Sequence, residues 1–555
     1  MELNKGRAPA GLSGSSLTVA AVIIAALIAA PVLSVFSNVF TGGTTETWVH
    51  LRDTVLGEFV FNTVVLCVGV GLGVASIGVT TAWLTTMLDF PGRRFYEWAL
   101  VLPMAMPAYV MAYAYTDLLQ FVGPVQSGLR AFFGWHANDY WFPDVRTVGG
   151  AVTMFMFVLY PYTYMLVRTA FLERAGGMLE AGRSLGLGPW GCFVRVSLPL
   201  ARPAVVAGTA LALMETLADF GTVAYFGVQT FTTGIYRAWF SLGDRIAAAQ
   251  LAAALLAFIV LVLSLEYASR GRARFNNTSR QQGAPLRRRL SPGLGLLASF
   301  ACFMPLLLGF LLPAALLLQM AFVDGDAQFG ARFVQLARNS FVLAALTSAL
   351  AVVLAVLLAY AARLARSSLP GALNRIVGLG YAVPGSVIAV GVLIPVTRLD
   401  NWLVEAWQAT FGFNPGLILT GGIAALIYAY LARFLAVALN VVESSLSKIT
   451  PSMDDASRSL GFGKWVTLRR VHVPILRGSL LTAALLVFVD VMKELPATLV
   501  IRPFNFDTLA TQAYTLAADE RLAEASTAAL VIVAVGLLPM FLISRQILKT
   551  GRRRD

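Results

Sequence analysis

The stretch EAGRSLGLGPW at positions 180–190 returns as DASRSLGFGKW at positions 455–465, an offset of 275. At the same offset Arg195, Val196, Pro199 and Arg202 return as Arg470, Val471, Pro474 and Arg477. Earlier in each copy, Asn62 to Leu66 resembles Asn339 to Leu343, and Pro107 corresponds to Pro384, both at an offset of 277. Nearly constant spacing over such a length implies duplication and fusion of one unit. The composition says what kind of unit. Of 555 residues 58% are hydrophobic and 13% charged, with a mean hydropathy of +0.74, whereas soluble domains carry about 25% charged residues. Apolar runs of about 20 residues recur, each long enough to cross about 30 Å of hydrocarbon. None alternates apolar and polar, which argues against a β-barrel.

The chain is therefore expected to be an all-α polytopic membrane protein of about twelve spans. The expected spans are 16–40, 59–88, 95–119, 148–172, 202–225 and 247–268, then 294–320, 338–364, 376–397, 416–441, 479–501 and 523–546. Residues 1–270 form the first six-helix repeat, 271–293 an Arg-rich polar linker, and 294–555 the second repeat. Six spans return the chain to its starting side, so the copies have parallel orientation about an axis normal to the membrane. The stretch before the first span, with Lys5 and Arg7, resembles a signal peptide in order, but the apolar run exceeds the usual h-region. It reads as an uncleaved first span.

The net charge of +13 follows the same topology. With both termini cytoplasmic, about 30 Lys and Arg fall in or beside cytoplasmic segments and about 10 in periplasmic ones, as the positive-inside rule requires. The excess is an orientation signal, and no nucleic-acid partner is expected. Three scattered cysteines (Cys67, Cys192, Cys302) and three scattered histidines (His50, His136, His472) form no legible metal cage or catalytic constellation. No phosphate loop is present either: Gly461, Gly463 and Lys464 run on into Trp465, which has no hydroxyl for magnesium. The chain is not expected to be an enzyme or to bind a cofactor of its own.

The repeated stretch lies between the fourth and fifth spans of each half, on the basic side. Good helix formers precede Gly186 and Gly461, the glycines loosen the chain, and Pro199 or Pro474 is expected to close a second short element. An acidic residue, an alanine, a glycine and a later apolar-Pro pair in this order closely resemble the EAA loop of permease subunits in ATP-binding-cassette importers. The resemblance puts Glu180, Ala181, Gly186 and Pro199 on the first motif, spanning about 180–203, and Asp455, Ala456, Gly461 and Pro474 on the second, about 455–478. Gly182 and Ser457 stand where that family usually has a second alanine, and Asp455 replaces its glutamate. In the family this loop is a coupling helix docked on the ATPase. The resemblance thus implies a type I importer permease fold, two ATPase subunits carrying ATP and Mg, and a periplasmic substrate-binding protein. It also implies a multi-pass location in a bacterial inner membrane, in contact with lipid.

The fifth and eleventh spans carry Glu215 with Asp219 and Asp490 with Glu494, again 275 apart. Each pair is spaced i, i+4 and is expected to share one helix face. A carboxylate at the centre of a span costs about 2.5 to 3.5 kcal/mol on insertion scales, so these four should avoid lipid. They read equally as lining the path of a cation or as paired groups locking the helices. Their surroundings, with Tyr225, Phe226 and Gly227 in the first half and Lys493 to Leu499 in the second, resemble the fused iron(III) importer permeases. Thiamine permeases are close relatives of those, and sulfate, molybdate and polyamine permeases more distant ones. Ferric iron is hard and takes carboxylate or phenolate oxygen, for which Glu215, Asp219, Tyr109, Tyr113, Tyr160 and Tyr164 are suitable. The resemblance therefore implies iron(III) import, with thiamine or another small solute as the alternative cargo. An ion-driven secondary transporter is the alternative class.

Overall fold

The computed structural model describes residues 13–42, 45–270, 287–323, 329–365 and 367–552; the side chains of 13–15, 45, 173–181, 189, 270 and 542–552 also lie outside the described residues. Most of the expected linker, 271–286, is among the residues not described. Among those that are, eleven helices are long and apolar enough to cross a membrane. Arg93–Ala105 and Ala108–Phe133, bent by 92°, supply a twelfth crossing if taken together.

That bend corrects the expectation of an unbroken third span at 95–119. Met106, before Pro107, is extended (φ −90°, ψ 115°), because the proline ring excludes the helical region for its predecessor. The ninth span repeats the device. Val383, before Pro384, is extended (φ −82°, ψ 125°), so the expected span 376–397 starts instead at Gly385 and runs as Gly385–Phe411.

Two compact units result, and they do not follow the order of the sequence: one comprises Met1–Ser34, Phe341–Val383 and Gly391–Val491, the other Val35–Ser340, Pro384–Val390 and Met492–Asp555. In the first unit the N-terminal helix packs on helices of the second sequence half. Gly391 lies against the Pro31 carbonyl, and Tyr428 donates to the Leu27 carbonyl at 2.6 Å. In the other unit, Tyr115 donates to the Leu308 carbonyl at 2.6 Å, and a Cβ at Gly536 would meet the Ala105 carbonyl at 2.7 Å. Here Val148–Ser184 is the central helix. Its Thr163 is fully buried between Gly78 and Gly208, where added Cβ atoms would lie 2.7 and 2.5 Å away. Small residues let the three helices approach where lipid gives no hydrophobic drive. The opposite face of Leu56–Met87 shows Phe61, Val64, Val68 and Leu72 as an exposed apolar stripe, as a lipid-facing helix should.

Candidate functional site

The repeated loops fold as two elbows, one in each compact unit. In the first, Val148–Ser184 runs unbroken from the membrane span into the motif, and Pro189–Cys192 resumes after the turn. In the second, Ala424–Leu446 ends before the motif, and a separate helix Pro451–Ser459 precedes the turn into Lys464–Thr467. The turns themselves are the same. Gly186 (φ +82°) and Gly461 (φ +79°) are left-handed. Their amides donate to the Arg183 and Arg458 carbonyls, both at 2.9 Å. The next amides, of Leu187 and Phe462, reach back to the Gly182 and Ser457 carbonyls at 3.0 and 3.1 Å. This double bond pattern is a Schellman motif, and it requires a left-handed residue at its turning point. A Cβ on either glycine would meet nothing within 4 Å, so backbone conformation alone selects glycine.

The residue inside each elbow must be small. A Cβ at Gly182 would meet Val196, Cys192 and Leu187 at 3.4 to 3.6 Å, which is ordinary contact, so the alanine usual in the related loops would fit. Ser457 is buried and shares a 2.7 Å hydrogen bond with Thr467, joining the two limbs. Glu180 and Ala181 sit on the backbone of the Val148–Ser184 helix, and their side chains lie outside the described residues. Asp455 and Ala456 are exposed, and Asp455 pairs with Arg458 three residues on.

Pro199 and Pro474 do not close a short element as expected. Each sits at the start of a long helix, Leu198–Ala218 or Val473–Met492, directly after a π-helical turn, Phe193–Ser197 or Leu468–His472. Proline has no N–H to give the carbonyl four residues back. The wider turn absorbs the loss: Leu198 and Val473 donate five residues back, to Phe193 and Leu468. The chain thus passes continuously from elbow to span.

Two features escaped the sequence reading. First, Leu185 and Trp190 are 84% and 74% exposed, and their counterparts Leu460 and Trp465 are 73% and 54% exposed. Both elbows thus present bulky apolar groups to the outside, a pattern of the kind that marks interaction sites; their recurrence in both copies was the available signal. Second, the second elbow is anchored by charge. Arg363, in the last turn of Ala331–Leu364, donates to Asp454 from Nε and Nη2 at 3.0 and 2.8 Å, and to the Leu446 and Ile449 carbonyls at 2.8 and 2.9 Å. Nε2 of His472 lies 2.7 Å from the other Asp454 oxygen. Tyr360 donates to the Lys464 carbonyl at 2.7 Å. At the corresponding offsets the first half has Thr86, Leu179 and Ser197 in place of Arg363, Asp454 and His472.

The acidic residues of the fifth and eleventh spans also differ from expectation. The helices end at Ala218 and Met492, so Asp219 and Glu494 lie beyond the helix ends instead of one turn along the face of Glu215 and Asp490. Asp219 accepts from the Thr222 and Val223 amides at 2.9 and 3.3 Å and from the Thr222 hydroxyl at 3.1 Å. Glu494 accepts from the Ala497 and Thr498 amides at 3.0 and 3.1 Å and from the Thr498 hydroxyl at 2.8 Å. Each carboxylate thus satisfies the free amides opening a short helix, Gly221–Tyr225 or Pro496–Ile501. Beyond each break, an asparagine from an early span of the same half holds the chain. Asn62 donates to the Gln229 carbonyl at 2.8 Å, and Asn339 to that of Asp507 at 3.0 Å. Glu215 and Asp490 are half-buried on their helices.

The tyrosines divide. Tyr164 donates to the Glu97 carbonyl at 2.9 Å and is a packing group, as is the fully buried Tyr160. Tyr109 and Tyr113 lie near the first break, with ring centres 5.8 Å apart and planes tilted by 53°, and a Cβ on Gly221 would meet Tyr109. Among the described residues no cluster of three or more His, Cys, Asp or Glu side chains could hold a metal ion.

Comparison with known proteins adds the family context. Residues 75–272 match the family described as binding-protein-dependent transport system inner membrane component. The Fe(3+)-transport system permease protein FbpB 2 of Haemophilus influenzae is 26% identical over 539 residues, covering 96% of this chain and 98% of that protein. A putative ferric transport system permease protein, FbpB 1, of the same organism is 23% identical over 514 residues, or 87% and 77% of the two chains. The molybdenum transport system permease protein ModB of Escherichia coli is 34% identical over 152 residues, 27% of this chain and 62% of that protein.

Proposed function

We propose that this chain, an inner-membrane permease component of a binding-protein-dependent ABC transporter, imports ferric iron. The permease role rests on one observation above the others: the same left-handed elbow, with the same two backbone bonds and the same exposed Leu and Trp, occurs in both halves. A duplicated docking surface calls for two ATPase subunits, and these would hold the ATP and Mg that this chain has no phosphate loop to bind. Both elbows and both termini are cytoplasmic in this reading, and a periplasmic binding protein delivers cargo to the opposite face.

The elbows convert ATPase closure into movement of the spans. Each is stiffened by its two backbone bonds, and each continues without a break through a π-turn into a membrane helix. A push on the exposed Leu and Trp is therefore carried into Leu198–Ala218 or Val473–Met492. Nucleotide then sets the energy difference between two conformations of the permease.

The choice of ferric iron rests on the near full-length likeness to the ferric permeases and on the hard oxygen groups beside the first break, Glu215, Tyr109 and Tyr113. Asp219 and Glu494, engaged by backbone amides, shape the breaks, and Glu215 is the carboxylate assigned to a passing cation. The deciding experiment is uptake of labelled ferric iron, molybdate, sulfate and thiamine in cells lacking this chain. Selective loss of ferric uptake is the expected result. Loss of another solute with iron unaffected would reassign the cargo, and transport on an ion gradient with no ATPase present would overturn the importer reading.

A further inference from the structure

In each half, the short helix that precedes the proline break is tied to the span that leads toward the elbow, and the ties stand at matching positions. In the first half the short helix is Arg93–Ala99 and the span Val148–Ser184. Arg168 of the span faces Glu97 at 3.6 Å, with side chains 11% and 7% exposed. Tyr164, one turn earlier on the span, donates to the Glu97 carbonyl at 2.9 Å. In the second half the short helix is Leu369–Gly378 and the span Ala424–Leu446. Here Asn374 donates to Glu443 at 2.6 Å. Asn374 lies 277 positions after Glu97, and Glu443 lies 275 after Arg168, the offsets that relate the halves elsewhere. The preceding span joins each tie. Arg93, paired with Glu97, reaches the Thr85 carbonyl at 3.5 Å, and Asn374 reaches that of Leu358 at 3.3 Å.

The residues differ while the tie is the same. An acid meets a base in one copy and an amide in the other, and the acid changes sides between short helix and span. Charges buried in a membrane protein are costly, and apolar side chains of similar volume would lock the helices as well or better. What the two ties share is a place between elbow and break. On one side, Val148–Ser184 runs straight into the first elbow. Glu443 stands one turn before Leu446, whose carbonyl is joined through Arg363 to Asp454 of the second. On the other side, the extended residue of the break comes nine positions after the tied side chain in each half, from Glu97 to Met106 and from Asn374 to Val383. A 3₁₀ turn, Leu102–Ala105 or Leu379–Ala382, occupies the end of that interval. Beyond the first break, Tyr109 packs against Gly221, where an added Cβ would lie 2.8 Å from it.

We infer that these ties form a second transmission route, an inference that rests on the reading of the elbows as ATPase docks. A displaced elbow carries its span, the tie carries the short helix, and the chain turns at Met106 or Val383. Glu97, Arg168, Asn374 and Glu443 are thus positioning residues for transport. The test uses the full permease with its ATPase in lipid nanodiscs, in a background free of native cysteines. Spin labels go on Ile376→Cys and Trp402→Cys, exposed positions on either side of the second break. ATP with vanadate should shift the distance between the labels. Asn374→Asp sets two carboxylates against each other and should shrink that shift at least about fivefold, with the ATPase still co-purifying. Adding Glu443→Gln restores a donor and an acceptor in reversed order and should recover the shift. Arg168→Met should act likewise on labels at Phe95→Cys and Phe121→Cys, across the first break. A tie that only holds helices in place would lower the melting temperature and leave both shifts intact, which would overturn the inference. So would a shift that Glu443→Gln fails to recover, or no shift at all while the ATPase is bound. An otherwise wild-type chain that binds no ATPase would overturn the elbow reading as well, which tells the two failures apart.

Discussion

Arg363 and Asp454, 91 positions apart, are joined by two hydrogen bonds, from Nε at 3.0 Å and Nη2 at 2.8 Å. The pair fastens the second elbow to the end of a membrane span while the remaining guanidinium donors hold the Leu446 and Ile449 carbonyls. No such pair serves the first elbow at the matching positions, so the two couplings are mechanically unequal.

Arg363→Ala should therefore weaken the second elbow selectively. The pair is largely but not fully buried, with side chains 15% and 22% exposed, so its loss should cost about 1 to 3 kcal/mol. ATPase stimulation by the loaded binding protein should fall, while membrane insertion stays normal. A double-mutant cycle with Asp454→Ala should recover most of the loss as coupling energy; additive effects would mean the two side chains act separately.

Gly186 and Gly461 test the elbows by conformation, since a Cβ added there would meet no neighbour within 4 Å. Replacement by valine should cost about 1 to 2 kcal/mol of left-handed strain at each site and abolish co-purification of the ATPase from a permease that still inserts. Asparagine tolerates this conformation and should restore much of the association. Equal failure of Val and Asn would show that bulk, not backbone angle, is the constraint.

Glu494 and Glu215 should separate structure from transport. Glu494→Ala strips two amides of their acceptor and should lower thermal stability by about 1 to 3 kcal/mol, with Glu494→Gln milder because one oxygen remains. Glu215→Ala should leave the melting temperature unchanged and reduce ferric uptake. Full uptake by Glu215→Ala at wild-type expression would remove that residue from the path.

Asn62→Ala and Asn339→Ala should have matching effects, because each removes one side-chain donor to the segment beyond a break. A loss of about 1 kcal/mol apiece is expected in detergent melts, and a marked difference between them would show that the two halves do not hold their breaks alike.

The duplicated loops, the number of spans and the turn at each repeated glycine were legible because each is written twice at a fixed spacing. The breaks were less so. Carboxylates spaced i, i+4 look alike whether the helix continues through them or stops between them, and only Pro496 marks the stop in the second half, with Gly221 as a weaker sign in the first. The reach of the N-terminal helix to Gly391 and Tyr428 depends on close packing between distant segments, for which local sequence carries no signal. Arg363, Asp454 and His472 stayed hidden for another reason: they occur in one copy, so the repeat could not point to them. Leu185 and Trp190 were visible in the repeated string, and only their exposure distinguishes them from buried apolar residues.

Coupled ferric import is measured as iron accumulation in proteoliposomes containing the permease, its ATPase and the iron-loaded binding protein. Accumulation should require ATP hydrolysis and should be lost in the Gly186→Val/Gly461→Val double variant. Accumulation that persists without ATP, or that survives disruption of both elbows, would contradict it.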